Sequence, residues 1–418
     1  MLPHSIPFNP ARPAWDEIPA AAGVFALFGD DPKSEPYIGR TPNLRRRLRR
    51  LLDPRPDQSK RLQLAGRVAR IDYALTASDF ESQLRLYLVT RHFFADRARK
   101  RLHLRQPPLL RMTVENAYPR VYVTNHVTKS ALDDLYGPFP SRAAAEKFLE
   151  DMLDLFKLRR CHEELHPDPS FPGCVYSEMK KCLAPCFQGC TDDRYAAESS
   201  SVRAFLRTRG ASLVEALRHE RETASALLEF ERAAELHARL TRAEAVAAEA
   251  PEAVRPLAHL DAIIIQPAVH PESVALFRLA QGILSGPAFY SVAGMRHPNE
   301  SAGSTSLFVQ PVAALEAVPL DAPAVTFSSR DELDQRLDAT LVELKPPPAG
   351  RPRQGISSAD LADFLCLFAR WYYRPLTKRS GEIVFADAEG NISSRAVLRC
   401  ISRVWRAAQS SADGPAQT

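Results

Sequence analysis

The sequence predicts an α+β multidomain protein, and three observations carry that prediction. A chain of 418 residues is too long for a single hydrophobic core and suggests two to four domains. Short strand-like runs and longer stretches of helical spacing both occur, and strand patterns dominate again from His259 onward. Between them lies a segment with five cysteines in thirty positions, Cys161 to Cys190, followed by a long Ala/Glu/Leu-rich helical stretch. The 45% apolar and 25% charged content is that of an ordinary globular protein. No apolar run is long enough to cross a bilayer. The N-terminal MLPHSIPFNPARPAW lacks the layout of a signal peptide, so a cytoplasmic location without membrane partners is expected.

Taken in order, GVFALFG (Gly23 to Gly29) reads as a short buried strand, GDDPKSEP as a turn and YIG as the second strand of a hairpin. TPNLRRRLRRLL then turns helical, with Thr41 as N-cap and Pro42 at the first helical position. Leu44, Leu48, Leu51 and Leu52 mark its buried face, and six arginines between Arg40 and Arg50 crowd the hairpin end and the other faces. RIDYALTAS reads as a third strand, DFESQLRLYLVTRHFFADRARKRL as a helix and RVYVTN as a further strand. In GPFPSRAAAEKFLEDMLDLFKLRRC, Ser141 caps a helix with Phe148, Met152, Leu153 and Phe156 on one side, running into Cys161. Asp192 to Arg209 and about Leu213 to Ala248 are helical. HLDAIIIQPA, SVALFRLAQG and PAFYSVAG are strands, LKPPPAGRPRQG is linker-like, and SSADLADFLCLFARWYY is a helix. Cys366 and Cys400 fall in apolar-periodic segments and read as packed thiols.

The net charge of +5 is unevenly spread, with a basic excess between Arg40 and Arg111 that points to a polyanionic partner. A tyrosine on a strand edge, beside a glycine and cations, can act as acid or base once positive charge or a metal-bound water lowers its pKa from about 10. Guanidinium groups on the next helix would hold phosphates and offset developing charge. A solvated basic helix on an ordinary domain is the plain alternative.

The order GVF, YIG, then R-x-x-N-L-x-x-R resembles the GIY-YIG nuclease module, and in particular the version found in the UvrC family. The resemblance implies a small mixed sheet with helices, a catalytic tyrosine at Tyr37, a basic residue at Arg40, a helix residue at Asn43 and a catalytic arginine at Arg47. Asn43, Arg45, Arg46, Arg49 and Arg50 would then lie along the DNA backbone. Two departures stand out. Phe25 replaces the tyrosine of the first half-motif, and Leu86 falls where the family has its metal-binding glutamate. Glu81 precedes that position by five residues, a helix rotation of about 140°, so it does not point the same way. Mg²⁺ or Mn²⁺ would be needed only for an active nuclease, and a carboxylate-free site binds them poorly.

Cys161, Cys174, Cys182 and Cys186 form a four-thiolate set of a kind that holds zinc or an iron–sulfur cluster in a cytosolic chain. FKLRRC…GCVYSEMKKCLAPC closely resembles the matching UvrC segment, which implies a [4Fe–4S] cluster, with zinc as the alternative. Cys190 is extra. Arg159, Arg160, Lys180 and Lys181 flank the cysteines as a possible DNA-binding surface. LEFERAAELHARL is similar to the UVR motif, whose helical hairpin docks on a matching hairpin of UvrB, a helicase-like subunit. Phe230, Ala233, Ala234 and Leu236 match it, although composition alone reads as a surface hairpin with Glu/Arg pairs.

The expected organisation is a GIY-YIG-like domain at 15–125, a Cys-rich domain at 126–210, the UVR hairpin at 211–250, a C-terminal α/β domain of unknown role at 255–405 and a disordered tail at 406–418. The family's RNase H-like nuclease and helix-hairpin-helix tail are expected to be absent. Two functions follow from the resemblance: a nucleotide-excision-repair protein that makes a metal-dependent 3′-side incision, or an inactive DNA- and UvrB-binding scaffold. A redox or iron sensor is a weaker third.

Overall fold

The computed structural model describes residues 2–31, 33–53, 64–295, 328–344 and 357–412. Within them the strands form three four-stranded antiparallel sheets, one per unit, so the α+β multidomain prediction is met. The N-terminal unit holds β1 (His4–Pro7), β2 (Gly23–Phe28), β3 (Tyr37–Thr41), α1 (Leu44–Leu52), β4 (Arg70–Leu75), α2 (Asp79–Phe94) and the short α3 (Ala98–Arg101). Its sheet runs β1-β4-β2-β3, leaving β3 on an edge. Phe25 and Leu27 pack with Leu44, Leu48 and Leu52 of α1, while Val24 and Ala26 are equally buried towards the other face. Cross-strand partners share a face. Tyr37 pairs with Leu27 and Gly39 with Phe25, so both lie on the α1 side, whereas Arg40, opposite Val24, lies on the α2 side.

The helix cap differs from expectation. Thr41 ends β3 opposite Gly23, so the helix starts later, and Asn43 takes the cap by accepting the Arg46 N–H at 2.9 Å. The Thr41 hydroxyl accepts the Asn43 N–H instead, at 3.2 Å.

The middle unit holds β5 (Leu109–Met112), β6 (Val121–Thr124), β7 (Leu135–Gly137), α4 (Arg142–Leu155), α5 (Val175–Glu178), α6 (Asp192–Arg207), α7 (Ala211–Ala226), α8 (Phe230–Glu249) and β8 (Arg255–Pro256). The boundary expected near residue 125 falls earlier, because β5 and β6 pair with each other and β5 with β7, not with the N-terminal sheet. The N-terminal unit likewise begins at β1, which pairs with β4, rather than near residue 15. Ser141 caps α4 as predicted, and Phe148, Met152 and Leu153 are buried with Phe156, Tyr195 and Phe205.

α7 and α8 form the predicted hairpin, rooted at its base in the middle core through Val246 and Ala250. Gly210, at φ +93°, opens α7; a side chain there would meet the Ala247 Cβ at 2.4 Å, so the turn depends on glycine. The seam between the helices is Leu217, Ala224, Leu236, Leu240 and Ala243. At the tip, Leu227, Leu228 and Phe230 are 64%, 69% and 68% exposed.

The C-terminal unit holds β9 (Asp261–Pro267), β10 (Ser273–Ala280), β11 (Ile283–Ser291), α9 (Arg330–Glu343), α10 (Ser358–Tyr372), β12 (Glu382–Phe385) and α11 (Ser394–Ala412). Its sheet runs β11-β10-β9-β12. One face, with Ile263, Ile265, Val274 and Leu276, packs on α9 and α11. The other, with Ile264, Phe277 and Leu279, packs on α10 and on α2 of the N-terminal unit. Phe80 of α2 meets the rings of Phe277 and Trp371 at 5.1 and 5.2 Å. Arg91–Asp360 and Arg99–Asp363, each 2.7 Å, brace the same junction. Cys366 and Cys400 are buried as expected. Residues 406–412 are not a disordered tail but the last turns of α11. The remaining tail residues and nearly all of LKPPPAGRPRQG lie outside the described residues. Among the described residues no helix is long and apolar enough to cross a membrane.

Two consequences are measurable. Phe80→Ala empties the α2–α10 wedge and is expected to cost about 3 kcal/mol of stability in chemical denaturation; a loss under about 1 kcal/mol contradicts the wedge. Leu236→Ala opens the hairpin seam and is expected to cost about 2 kcal/mol or more. Phe230→Ala, at the exposed tip, should stay within about 0.5 kcal/mol of the parent. Equal costs would contradict the seam assignment.

Candidate nucleic-acid interface and thiol centre

At the N-terminal edge, the short hairpin places Tyr37 on an open strand, 41% exposed. Gly39 is needed beside it because the Phe25 ring lies across the strand, and a side chain at Gly39 would meet the Phe25 Cζ at 2.9 Å. Phe25 itself is 1% exposed and offers no hydroxyl to the site. Arg47 flanks the buried Leu44–Leu48 stripe of α1 and is half-buried, on the same side of the sheet as Tyr37. Arg40 is elsewhere. It pairs with Asp79 at the start of α2, and Asp79 also takes Arg374 of the C-terminal unit at 2.6 Å and the Gln83 amide at 2.6 Å. Burial raises the Asp79 pKa, but the hydrogen bonds and charges of Arg40 and the bonds from Gln83 and Arg374 outweigh it and hold the carboxyl below its usual range.

The six arginines therefore divide. Arg45 folds back, its Nε donating to the Ile18 carbonyl at 2.7 Å, and Arg49 lies 6.0 Å from the Trp15 ring. The side chains of Arg46, Arg47 and Arg50 have no partner among the described residues. Asn43 is engaged as the helix cap.

The carboxylates do not gather around a divalent ion. Asp79, Gln83, Leu86 and Thr90 form one stripe of α2 by their spacing. Asp79 meets Arg40 of β3, and Thr90 shares a cavity of about 390 Å³ with Tyr37 and Ile38. Leu86 stands in that stripe where the family motif has glutamate. Glu81 is 2% exposed and lines a different groove, with Leu84, Leu88, Phe277 and Phe289. It is held there by the Ala77 N–H and by Arg85, each at 3.1 Å. The residues present thus do not fit Mg²⁺ or Mn²⁺: Asp79 is already neutralised by two guanidinium groups, Glu35, which lines the Tyr37 cavity, is paired with Arg97 and Arg101, and Glu81 faces away.

The cysteine segment is an irregular loop between α4 and α6. Lys180, Ala184 and Gln188 all have positive φ, near +56° to +58°. Three non-glycine residues in that region within nine positions imply a backbone fixed by its surroundings. Asp154, at the end of α4, bonds both Arg160 at 2.5 Å and Lys181 at 3.0 Å, drawing together the neighbours of Cys161 and Cys182. Burial pushes the Cys182 thiol up to about 11. The Ala184 N–H opposes this, and Cys161, Cys174 and Cys186 add to it. Cys186, raised chiefly by burial, responds to Cys174 and Cys161 as well. The four predicted sulfurs therefore share one electrostatic neighbourhood. Cys190, raised by burial and then by Asp192, responds among the thiols only to Cys186, and it packs against the middle core.

Among the described residues no three His, Cys, Asp or Glu side chains are gathered closely enough to hold a single metal ion. By chemistry alone, four thiols are a donor set of the kind that holds zinc or an iron–sulfur cluster. Arg159 is 3% exposed and has no carboxylate partner among the described residues. Of the four flanking cations, Lys180 is exposed, Arg160 and Lys181 are paired with Asp154, and Arg159 is buried. Sequence reasoning missed Asp79, Arg374, Asp154 and the inward position of Arg159. Only the proximity of Arg159 to Cys161 was visible in the chain.

In the hairpin, Phe230 and Ala234 are exposed, Ala233 is half-buried and Leu236 is sealed in the seam. Leu236 therefore shapes the hairpin, while Phe230 and Ala234 remain on its surface.

Comparison with known proteins finds similarity over most of the chain. Residues 108–205 match the model of the UvrC/Cho excinuclease middle domain. The UvrABC system protein C of Natronomonas pharaonis is 29% identical over 344 residues, covering 80% of this chain and 57% of the relative. That of Carboxydothermus hydrogenoformans is 26% identical over 340 residues, 79% of this chain and 54% of the relative. That of Nitratidesulfovibrio vulgaris is 33% identical over 240 residues, 56% of this chain and 34% of the relative. The chain thus spans about a third to just over half of the length of these relatives. No solved structure matches. The chain is thus similar to UvrC proteins over most of its length, and its residues 108–205 match the UvrC/Cho middle-domain model.

Proposed function

We propose that this chain is a nucleotide-excision-repair subunit that grips DNA with its N-terminal unit and docks a UvrB-like helicase partner with its hairpin, without cutting DNA at the N-terminal site. The observation that carries the DNA reading is the set of unpaired guanidinium groups on α1. Arg46 and Arg50 are four residues apart and so share one exposed stripe, with Arg47 beside it. Such a stripe suits a phosphate backbone and reads little sequence. The exposed Leu227, Leu228 and Phe230, continued by Ala234 one turn on, suit a helix laid against the hairpin tip.

The reading without incision rests on the residues around Tyr37. Hydrolysis by that tyrosine and Arg47 would need a metal held by hard oxygen ligands, and Phe25, Leu86 and the neutralised Asp79 supply none. Cys161, Cys174, Cys182 and Cys186 would hold a [4Fe–4S] cluster, with zinc as the alternative. Bound there, the centre would cross-link three loop segments and release protons from the thiols as it loads.

Fluorescence anisotropy with short duplexes tests the grip. The double change of Arg46→Ala and Arg50→Ala should weaken binding about ten-fold for any sequence and reduce the salt slope by about two. An unchanged slope contradicts the proposed path. A nicking assay with a UvrB-type partner, damaged duplex and Mg²⁺ or Mn²⁺ should show no incision at the N-terminal site. Metal-dependent nicking that Tyr37→Phe abolishes overturns the inactive reading and restores the 3′-side incision. Phe230→Ala should weaken capture of the UvrB-type partner; unchanged capture removes the docking claim.

A further inference from the structure

Arg159 presents a buried charge with no ion-pair partner among the described residues, although Glu115, Glu163 and Glu164 line the same cavity. Its Nε donates to the Tyr118 carbonyl and its Nη1 to the Glu163 carbonyl, each at 2.9 Å, and the same Nη1 lies 3.8 Å from Cys161 Sγ. The Arg159 N–H donates to the Tyr195 hydroxyl at 3.2 Å, which in turn donates to the Pro119 carbonyl at 2.8 Å. The residue is therefore pinned from both sides, at the wall of a polar cavity of about 480 Å³. Two carbonyl dipoles recover only part of the hydration a guanidinium loses on burial, and an isolated buried cation is strongly disfavoured.

The other cations near the cysteines have partners or solvent. Arg160 and Lys181 share Asp154, Arg120 lies 2.6 Å from the His162 ring, and Lys180 is exposed. Neutral thiols would give Arg159 little in return. Four thiolates around Zn²⁺ or a doubly charged iron–sulfur core leave a net charge of about −2, and the position of Arg159 matches that charge.

We infer that Arg159 is a positioning residue for the four-thiol centre: a built-in counter-cation that favours thiolate assembly and donates a hydrogen bond to the Cys161 sulfur. The inference rests on the metal–thiolate reading above. It adds a charge role for a residue that is not itself a ligand. The contact follows from the chain path. Leu158 is fully buried in the middle core. Arg159 then turns to the Tyr118–Pro119 loop, and Cys161, two residues on, falls beside its guanidinium.

The test uses the full chain purified anaerobically, with metal and sulfide content measured and metal loss to EDTA followed by absorbance. Arg159→Gln should lose metal at least ten-fold faster than the native protein. Arg159→Lys, which keeps a charge but not the planar fork, should stay within about three-fold. If the metal is iron, the midpoint in a dye-mediated redox titration should move negative in Arg159→Gln and hold in Arg159→Lys, a response that mere bracing of the loop would not produce. A loaded native protein whose Arg159→Gln variant loses metal at the native rate overturns this inference alone. A native protein that binds neither iron nor zinc overturns the metal–thiolate reading and the inference together. If Arg159→Gln does not fold, Arg159→Lys decides: the native rate supports the charge role, and ten-fold faster loss removes it.

Discussion

Helix α2 is buried on two sides, and much of the structure follows from that constraint. One face closes the N-terminal sheet against β3; the other enters the core of the C-terminal unit through Phe80, Leu84 and Tyr87. A helix enclosed in this way has little room for a solvated carboxylate, because an ionised group there must be paired or shift its pKa. Its acids follow that rule. Glu81 is raised by burial despite the Ala77 N–H and Arg85 that hold it, and Asp79 survives at the helix start by sharing two arginines. Leucine at position 86 is thus consistent with packing between two units, and the loss of a metal ligand accompanies the gain of an interface.

The same junction decides what Arg40 can do. Arg374 comes from the far end of the chain, just beyond α10, and meets Asp79 beside Arg40. A guanidinium held by a carboxylate is less available to a phosphate than its unpaired neighbours on α1. The C-terminal unit therefore does more than cover an apolar face: Arg374 shares the carboxylate that holds Arg40. Tyr87 belongs to this junction too, lying between Asp360 and Asp363 with its hydroxyl driven far above the ordinary range, chiefly by burial. It acts there as a donor and not as an acid.

Local pattern carried the elements that depend on neighbours in sequence. The β2–β3 hairpin, the leucine stripe of α1 and the Ser141 cap could all be read from spacing. What could not be read depends on distant partners. RVYVTN looked like an extension of the N-terminal sheet because strand order is invisible in a linear pattern; β5 was not read at all, and only its pairing with β6 and β7 assigns the strand to the middle unit. α2 carries buried residues nearly all round, including Ser82, Thr90 and Glu81. That is the signature of a helix with two neighbours, but the second neighbour lies some 270 positions away and left no local mark. At the candidate site, Tyr37 and the arginines were legible, whereas nothing in the local pattern singled out Asp79.

At the thiol centre the sequence supplied the donors and the fold supplies the charge. Cysteine spacing says nothing about which of five thiols is set apart; the structure separates Cys190 by placing it against the core beside Asp192. Spacing says equally little about Arg159 and Arg160, adjacent in sequence and of one type. Arg160 pairs with Asp154 and ties Cys161 to the Cys182 arm; Arg159 reaches the Cys161 sulfur and has no carboxylate partner among the described residues. An anionic core would satisfy the Arg159 charge and lock the loop that Arg160 gathers. The two arginines then do different work on the same centre, one by geometry and one by charge, which is why exchanging either for a neutral residue should affect the centre by a different route.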